Sequence, residues 1–231
     1  MRTVIITSTH PRHKYFASIL FNKTFASSVF LENKPISSDS LHKKESEMYK
    51  DCIDWVPYGP STFLEKGQIN SKESIELIKK HAPEVIFTFG CSLLKKEIFS
   101  IPKYGCINIH TGIVQLFRGV DSAFWSVHDE NLDGVGATLH YIDKTIDAGG
   151  IIAQKQADIS AGDDVNDLFL KSCMAGFEIL QEKLPEIKNQ TVKSSPLQNK
   201  GKLYQIKDRT PEAEQEVTNK IDRVIEEYLN D

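Results

Sequence analysis

Short apolar runs rich in β-branched residues alternate along the first half of the chain with stretches whose apolar residues recur every three to four positions. Residues 4–8 read as a buried strand. Pro11 then suits a first helical position, and Tyr15, Phe16, Ile19 and Leu20 follow at helical spacing. Residues 28–31 read as a second strand. Residues 32–58 mix Lys and Glu with little periodicity and predict a long excursion or loop. From residue 70 the pattern sharpens. Ser71 is placed to cap a helix whose apolar side is Ile75, Leu77 and Ile78, and residues 85–89 predict a central strand closing at Gly90. Residues 93–99 predict a short helix and 106–109 the next strand. Beyond them come a helix over 121–128, strands over 136–142 and 151–159, a long amphipathic helix over 165–184 and a last helix over 211–229.

Strands alternating with helices through the first 110 residues predict an α/β fold, a Rossmann-like, mostly parallel sheet with helices on both faces. In such sheets ligands collect beyond the carboxyl ends of the strands. Three segments meet that description: the turn after the first strand, residues 90–94 and residues 108–110. One catalytic domain over 1–185 with a short C-terminal extension over 186–231 is the expected organisation.

Bulk composition narrows the classes. The chain has 231 residues, 40% hydrophobic and 26% charged, which is enough for a sizeable core. A formal net charge of −4 argues against a strongly basic nucleic-acid surface. No apolar run approaches the roughly 20 residues of a membrane span, and the short N-terminal run reads as a strand. Cys52, Cys91, Cys106 and Cys173 are scattered, so reduced thiols in a cytoplasmic protein are expected.

Candidate chemistry centres on Asn108, His110 and Asp147, the last 37 residues after the histidine. An amide can hold an oxyanion, an imidazole can exchange protons, and a carboxylate can set the imidazole's charge and tautomer. On a strand, positions two apart face one side, so Asn108 and His110 can converge. Spacing alone favours the plainer alternative, a strand-end histidine satisfied by backbone. A metal site built on His110, His128, His140 and Asp147 lacks compact ligand spacing, so no metal is expected.

The wider text around these residues is more specific. Gly105-Cys106-Ile107-Asn108-Ile109-His110-Thr111-Gly112 leads to Phe117-Arg118-Gly119 and Trp125. Gly136-Ala137-Thr138-Leu139-His140, Asp143 and Asp147-Ala148-Gly149-Gly150-Ile151-Ile152 follow. In this order and spacing the segment over roughly 70–160 resembles the folate-dependent formyltransferase family, most of all its nucleotide-sugar N-formyltransferases. Val114-Gln115-Leu116-Phe117 departs from the family's Leu-Pro before the Arg-Gly pair.

The resemblance implies the formyltransferase fold and 10-formyltetrahydrofolate as donor. It also implies catalytic roles for Asn108, His110 and Asp147, and a folate pocket at Cys91, Leu93, Leu94, Asp143 and Asp147. The acceptor is expected at His10, Arg12 and His13 in the first turn, with Arg118. A plain helix start with solvated charges is the alternative there. The expected acceptor is a nucleotide-linked amino sugar such as a dTDP-4-amino-4,6-dideoxyhexose, destined for surface polysaccharide such as lipopolysaccharide O-antigen. Another small amine such as glycinamide ribonucleotide is the alternative, and a non-catalytic folate-binding module is the alternative of another class. Residues 201–211 resemble the tail of the nucleotide-sugar members; Tyr204 either takes part in that tail's role or is a core or interface aromatic. The C-terminal amphipathic stretch could support a homodimer.

Overall fold

The structure is a computed structural model and describes residues 1–36, 38–57 and 59–230. Contacts gather the chain into two compact units, Met1–Asn108 with Tyr141–Lys144, and Ile109–His140 with Thr145–Asp231.

The first unit is built on five parallel strands in the order β3-β2-β1-β4-β5: β1 (Arg2–Ser8), β2 (Phe25–Asn33), β3 (Ser61–Glu65), β4 (Val85–Thr88) and β5 (Cys106–His110), which ends in the second unit. Val29, Ile5, Phe87 and Ile107 lie in one row across the sheet, and Phe30, Ile6, Thr88 and Asn108 in the next. These rows point to opposite faces, and nearly all their side chains are buried, as expected of a sheet covered on both sides. The helix α1 (Pro11–Lys23) connects β1 outward to β2, whereas α3 (Lys72–Lys80) returns from β3 to β4. Right-handed crossovers in opposite directions put the two helices on opposite faces. The direction reverses between β1 and β4, so the Ser8-to-His13 turn and Gly90 both stand at the switch point.

Local signals were accurate where their causes were local. Ser71 accepts from the Ser74 N–H and caps α3 as expected. The excursion over 32–58 was misread, because it contains a ten-residue helix, α2 (Asp39–Met48), and a 3₁₀ turn at Lys50–Cys52. The one buried side chain of α2 is Glu45, so there is no apolar stripe to read. The short helix after Gly90 is α4 (Lys96–Phe99), and it starts later than the pattern suggested.

The second unit pairs β7 (Gly136–Tyr141) antiparallel with β8 (Ile151–Gln156) and packs α6 (Val165–Lys188) on β8. A capping box between Asp164 and Asp167 starts α6, and buried Ile187 carries it past Pro185. Two three-residue strands, β6 (Phe117–Gly119) and β9 (Lys202–Tyr204), pair in parallel. Helices α5 (Ser122–His128) and α7 (Pro211–Asn230) share one apolar cluster with α6, through Phe124, Trp125, Leu168, Val217 and Ile225. Tyr204 stacks on Trp125 with centroids 3.8 Å apart and is buried, so it is a core aromatic. Among the described residues no helix is long and apolar enough to cross a membrane, and no cysteine is in a disulfide.

Gly176 in α6 lies so near Ile109 that an added Cβ would sit 2.6 Å from Ile109 Cγ2. Alanine would gain about 1 kcal/mol of helix propensity, but overpacking a core typically costs about 1–3 kcal/mol. Gly176→Ala is therefore expected to lower stability by up to about 2 kcal/mol in urea denaturation. An unchanged or raised midpoint would mean that Ile109 yields freely.

Candidate active site

His110 is the last residue of β5, and its ring is buried in the second unit. Its Nε2 lies 3.1 Å from the Phe117 carbonyl oxygen and 3.1 Å from Ser122 Oγ. A carbonyl only accepts, so this contact places a proton on Nε2. The other nitrogen, Nδ1, faces Asp147 Oδ2 at 3.4 Å. The expected pairing of His110 with Asp147 is thus present in the structure.

Asp147 has the left-handed backbone φ of 47°, unusual for a residue with a Cβ. That backbone sets the carboxylate among three partners. Gly119 N–H donates to Oδ2 at 2.9 Å, His110 faces the same oxygen, and His140 Nε2 lies 3.6 Å from Oδ1. Burial alone would raise the carboxyl's pKa, but the two imidazoles and the amide outweigh it and hold it well below the usual carboxylate range. Burial pushes His110 below its ordinary value, with Asp147 pulling the other way. The pair therefore combines an ionised carboxylate with an imidazole that is neutral at rest. It bears its proton on Nε2 and presents Nδ1 as a base.

Arg118 is buried, and its described bonds run to backbone. Nε donates to Gly201 O at 2.9 Å and a terminal nitrogen to Ile146 O at 2.9 Å. Its guanidinium thereby fastens the residue preceding Asp147 to the segment leading into β9. Sequence reasoning had assigned it to substrate, and a role in holding the loop is what its bonds support.

In the first unit Thr88 Oγ1 donates to Asn108 Oδ1 at 2.8 Å, so the amide nitrogen is the end directed away from Thr88. Residues 91–95 form neither helix nor strand. Leu94 is buried in the core, and Leu93 exposes 72% of its surface. Burial pushes the Cys91 thiol up to about 12, with Glu32 adding to the effect, so Cys91 is no nucleophile. Asp143 is exposed.

His10, Arg12 and His13 are all buried, which rejects the solvated helix start. Arg12 and His10 both engage Glu45 of α2, the imidazole at 3.3 Å, and Ser8 Oγ pairs with His13 Nδ1. Burial, with Arg12 and His10 beside it, pushes His13 well below its ordinary value. Glu45 and Ser122 were missed by sequence reasoning, since neither lies in a motif and both act through distant partners. His140 borders Asp147 directly. Among the described residues no three of His, Cys, Asp and Glu gather as a metal would need.

A family model described as formyl transferase matches residues 22–184. A methionyl-tRNA formyltransferase from Kosmotoga olearia is 30% identical over 148 residues. The match covers 64% of this chain and 47% of that protein, so the chain spans about half its relative's length. A sugar N-formyltransferase from a Shewanella species shares the fold at a TM-score of 0.65 and 17% identity, covering 94% of this chain and 86% of that one. The N-formyltransferase from Helicobacter canadensis, solved with folinic acid and dTDP-3-aminofucose, superposes at 0.64 with 18% identity, covering 91% and 73%. The phosphoribosylglycinamide formyltransferase of Anaplasma phagocytophilum gives 0.64 at 16% identity, covering 89% and 98%.

The two lowered histidines carry a pH signature. His13 and His110 take up protons less readily folded than unfolded. Their contribution is fully present above the ordinary imidazole value of about 6.5 and is lost as pH falls toward their folded values. Urea midpoints should decline as pH drops through about 6.5 toward 5. His13→Gln should flatten that decline, and a profile already flat in the parent would show that neither ring is held neutral.

Proposed function

Because the chain belongs to the formyl transferase family, we propose that it moves the formyl group of 10-formyltetrahydrofolate to the amine of a nucleotide-linked amino sugar. The observation that carries this reading is the Asp147 carboxylate, kept ionised beside Nδ1 of a His110 whose Nε2 is bonded to the Phe117 carbonyl. The donor supplies an electrophilic formyl carbon, and its folate nitrogen is the leaving group. His110 Nδ1 accepts the proton that the attacking amine must lose and returns it to the departing folate nitrogen, and Asp147 stabilises the imidazolium between the two steps. Asn108, two residues earlier on the same strand, offers its Thr88-oriented amide to the oxygen that gains charge. The backbone of residues 91–94 and the exposed Leu93 side chain suit a flat, amide-edged pterin.

The acceptor reading rests on the first turn. It is not a glycine-rich backbone cradle but one arginine and two imidazoles, all buried, at the start of α1. His10 and Arg12 already hold one anion, the Glu45 carboxylate, and a diphosphate would share or take its place. The Helicobacter neighbour, solved with a dTDP-linked amino sugar, supports the same class. A dTDP-4-amino-4,6-dideoxyhexose feeding surface polysaccharide fits best. The sequence relatives favour a second acceptor, methionyl-tRNA, although a net charge of −4 offers RNA no general attraction.

Mass spectrometry of products decides between acceptors. The chain, incubated with 10-formyltetrahydrofolate and a panel of nucleotide amino sugars, glycinamide ribonucleotide and methionyl-tRNA, should formylate an amino sugar. Bound folate with no formylated amine would leave a binding module instead. His110→Ala and Asp147→Asn should each reduce turnover at least about 100-fold, and near-normal turnover in a folded variant would remove that residue from the chemistry.

Arg12 is tested together with its partner, since Arg12→Ala alone would strand a buried Glu45. Relative to Glu45→Ala, the double variant Arg12→Ala/Glu45→Ala should raise the acceptor KM at least about tenfold, the worth of a charge-assisted phosphate bond. The donor KM should stay within about twofold. Equal weakening of both substrates would assign Arg12 to folding rather than to the acceptor.

A further inference from the structure

The structure assigns Glu32 and Asn70 as the positioning residues of the formyl-donor loop, an inference that rests on the donor site proposed at residues 91–94. Those residues belong to no helix or strand, so no backbone ladder sets their shape. Two side chains from neighbouring segments set it instead. Glu32, near the end of β2, accepts the Ser92 N–H on Oε2 at 2.6 Å. Asn70, just before the α3 cap, donates from Nδ2 to the Leu93 carbonyl at 3.0 Å and accepts the Lys95 N–H on Oδ1 at 2.8 Å. Together they engage backbone groups at three of the four positions from Ser92 to Lys95. Leu94 between them is sunk in the core, and Leu93 is left projecting outward.

Glu32 has no exposed surface, and its second oxygen accepts the Gly67 N–H at 2.8 Å. Gly67 has a φ of +87°, in the left-handed region that favours glycine, and it begins the turn leading to Asn70. One carboxylate therefore ties the segment carrying Asn70 and the donor loop to the end of β2. Burying a carboxylate is unfavourable unless it is well bonded, and an apolar residue would fill the same space without that cost. What the carboxylate adds is a fixed path for two irregular segments, through short, charge-assisted bonds. Pre-setting a loop in its binding conformation removes an ordering cost that would otherwise weaken the ligand. The donor should feel this clamp, and the acceptor should not.

Glu32→Gln keeps the shape but replaces one acceptor oxygen with an NH2 that must face a backbone N–H. Asn70→Asp, at a less buried position, keeps the bond to Lys95 N–H and sets an oxygen against the Leu93 carbonyl. The probe is folinic acid, a stable formyl-folate, titrated calorimetrically into the full chain. Acceptor KM at saturating donor and thermal midpoint are measured in parallel. Each variant should bind folinic acid at least about tenfold more weakly than the parent, while acceptor KM stays within about twofold. Unchanged folinic acid affinity in both folded variants would overturn the clamp. Equal weakening toward donor and acceptor, tracking a lowered thermal midpoint, would overturn it in favour of general support of the fold. If the parent chain itself fails to bind folinic acid, the formyltransferase reading falls first and this inference falls with it.

Discussion

Asp147 must stay charged in a largely buried place, and much of the second unit is arranged to permit it. A carboxylate removed from water needs cations and donors on its oxygens. Here the Gly119 amide donates to one oxygen, and the His110 and His140 rings face the two. Each depends in turn on something further away. Gly119 has a φ of 90°, and a Cβ there would meet the Tyr204 carbonyl oxygen at 2.0 Å, so β9 can lie against it only because it is glycine. Arg118 fixes the residue before Asp147 and is itself fixed by Gly201. The Tyr204–Trp125 stack and the Tyr204 hydroxyl, which donates to Asp129 at 2.7 Å, hold β9 in position. The chain after α6 therefore belongs to the support of this carboxylate.

The first unit uses buried charge to a similar end. Its apolar rows specify a twisted parallel sheet and would tolerate many substitutions of like volume. They say little about the irregular segments at the strand ends, where ligands are expected. Glu45 and Glu32 govern two of those segments. Glu45 fastens α2 to the turn carrying His10 and Arg12, and Glu32 fastens the irregular segment over 91–95. Each carboxylate is costly if left alone and directional when bonded, so each favours one loop path over the alternatives.

Neutral His110 fits the same logic. Its environment opposes charge through burial and invites charge through Asp147, and burial prevails at rest. A base poised in this way can accept a proton during reaction without holding one beforehand.

The sequence by itself determined the parallel strands, the Ser71 cap and the start of α6, while the pairing of His110 with Asp147 was legible only through the family resemblance. Strand and helix periods and caps depend on residues within a few positions of one another, so they can be read locally. The order of Asn108, His110, Gly119, His140 and Asp147 is likewise written along the chain. Only the tertiary structure decided that α2 exists, that Arg12 is engaged by Glu45 and Arg118 by backbone carbonyls, and that Glu32 and Asn70 bond the backbone of residues 92–95. Those outcomes turn on polar groups 23 to 83 residues apart meeting in space. Hydrophobic periodicity carries no record of such meetings, because a buried charge and a solvated one look alike until their partners are in place.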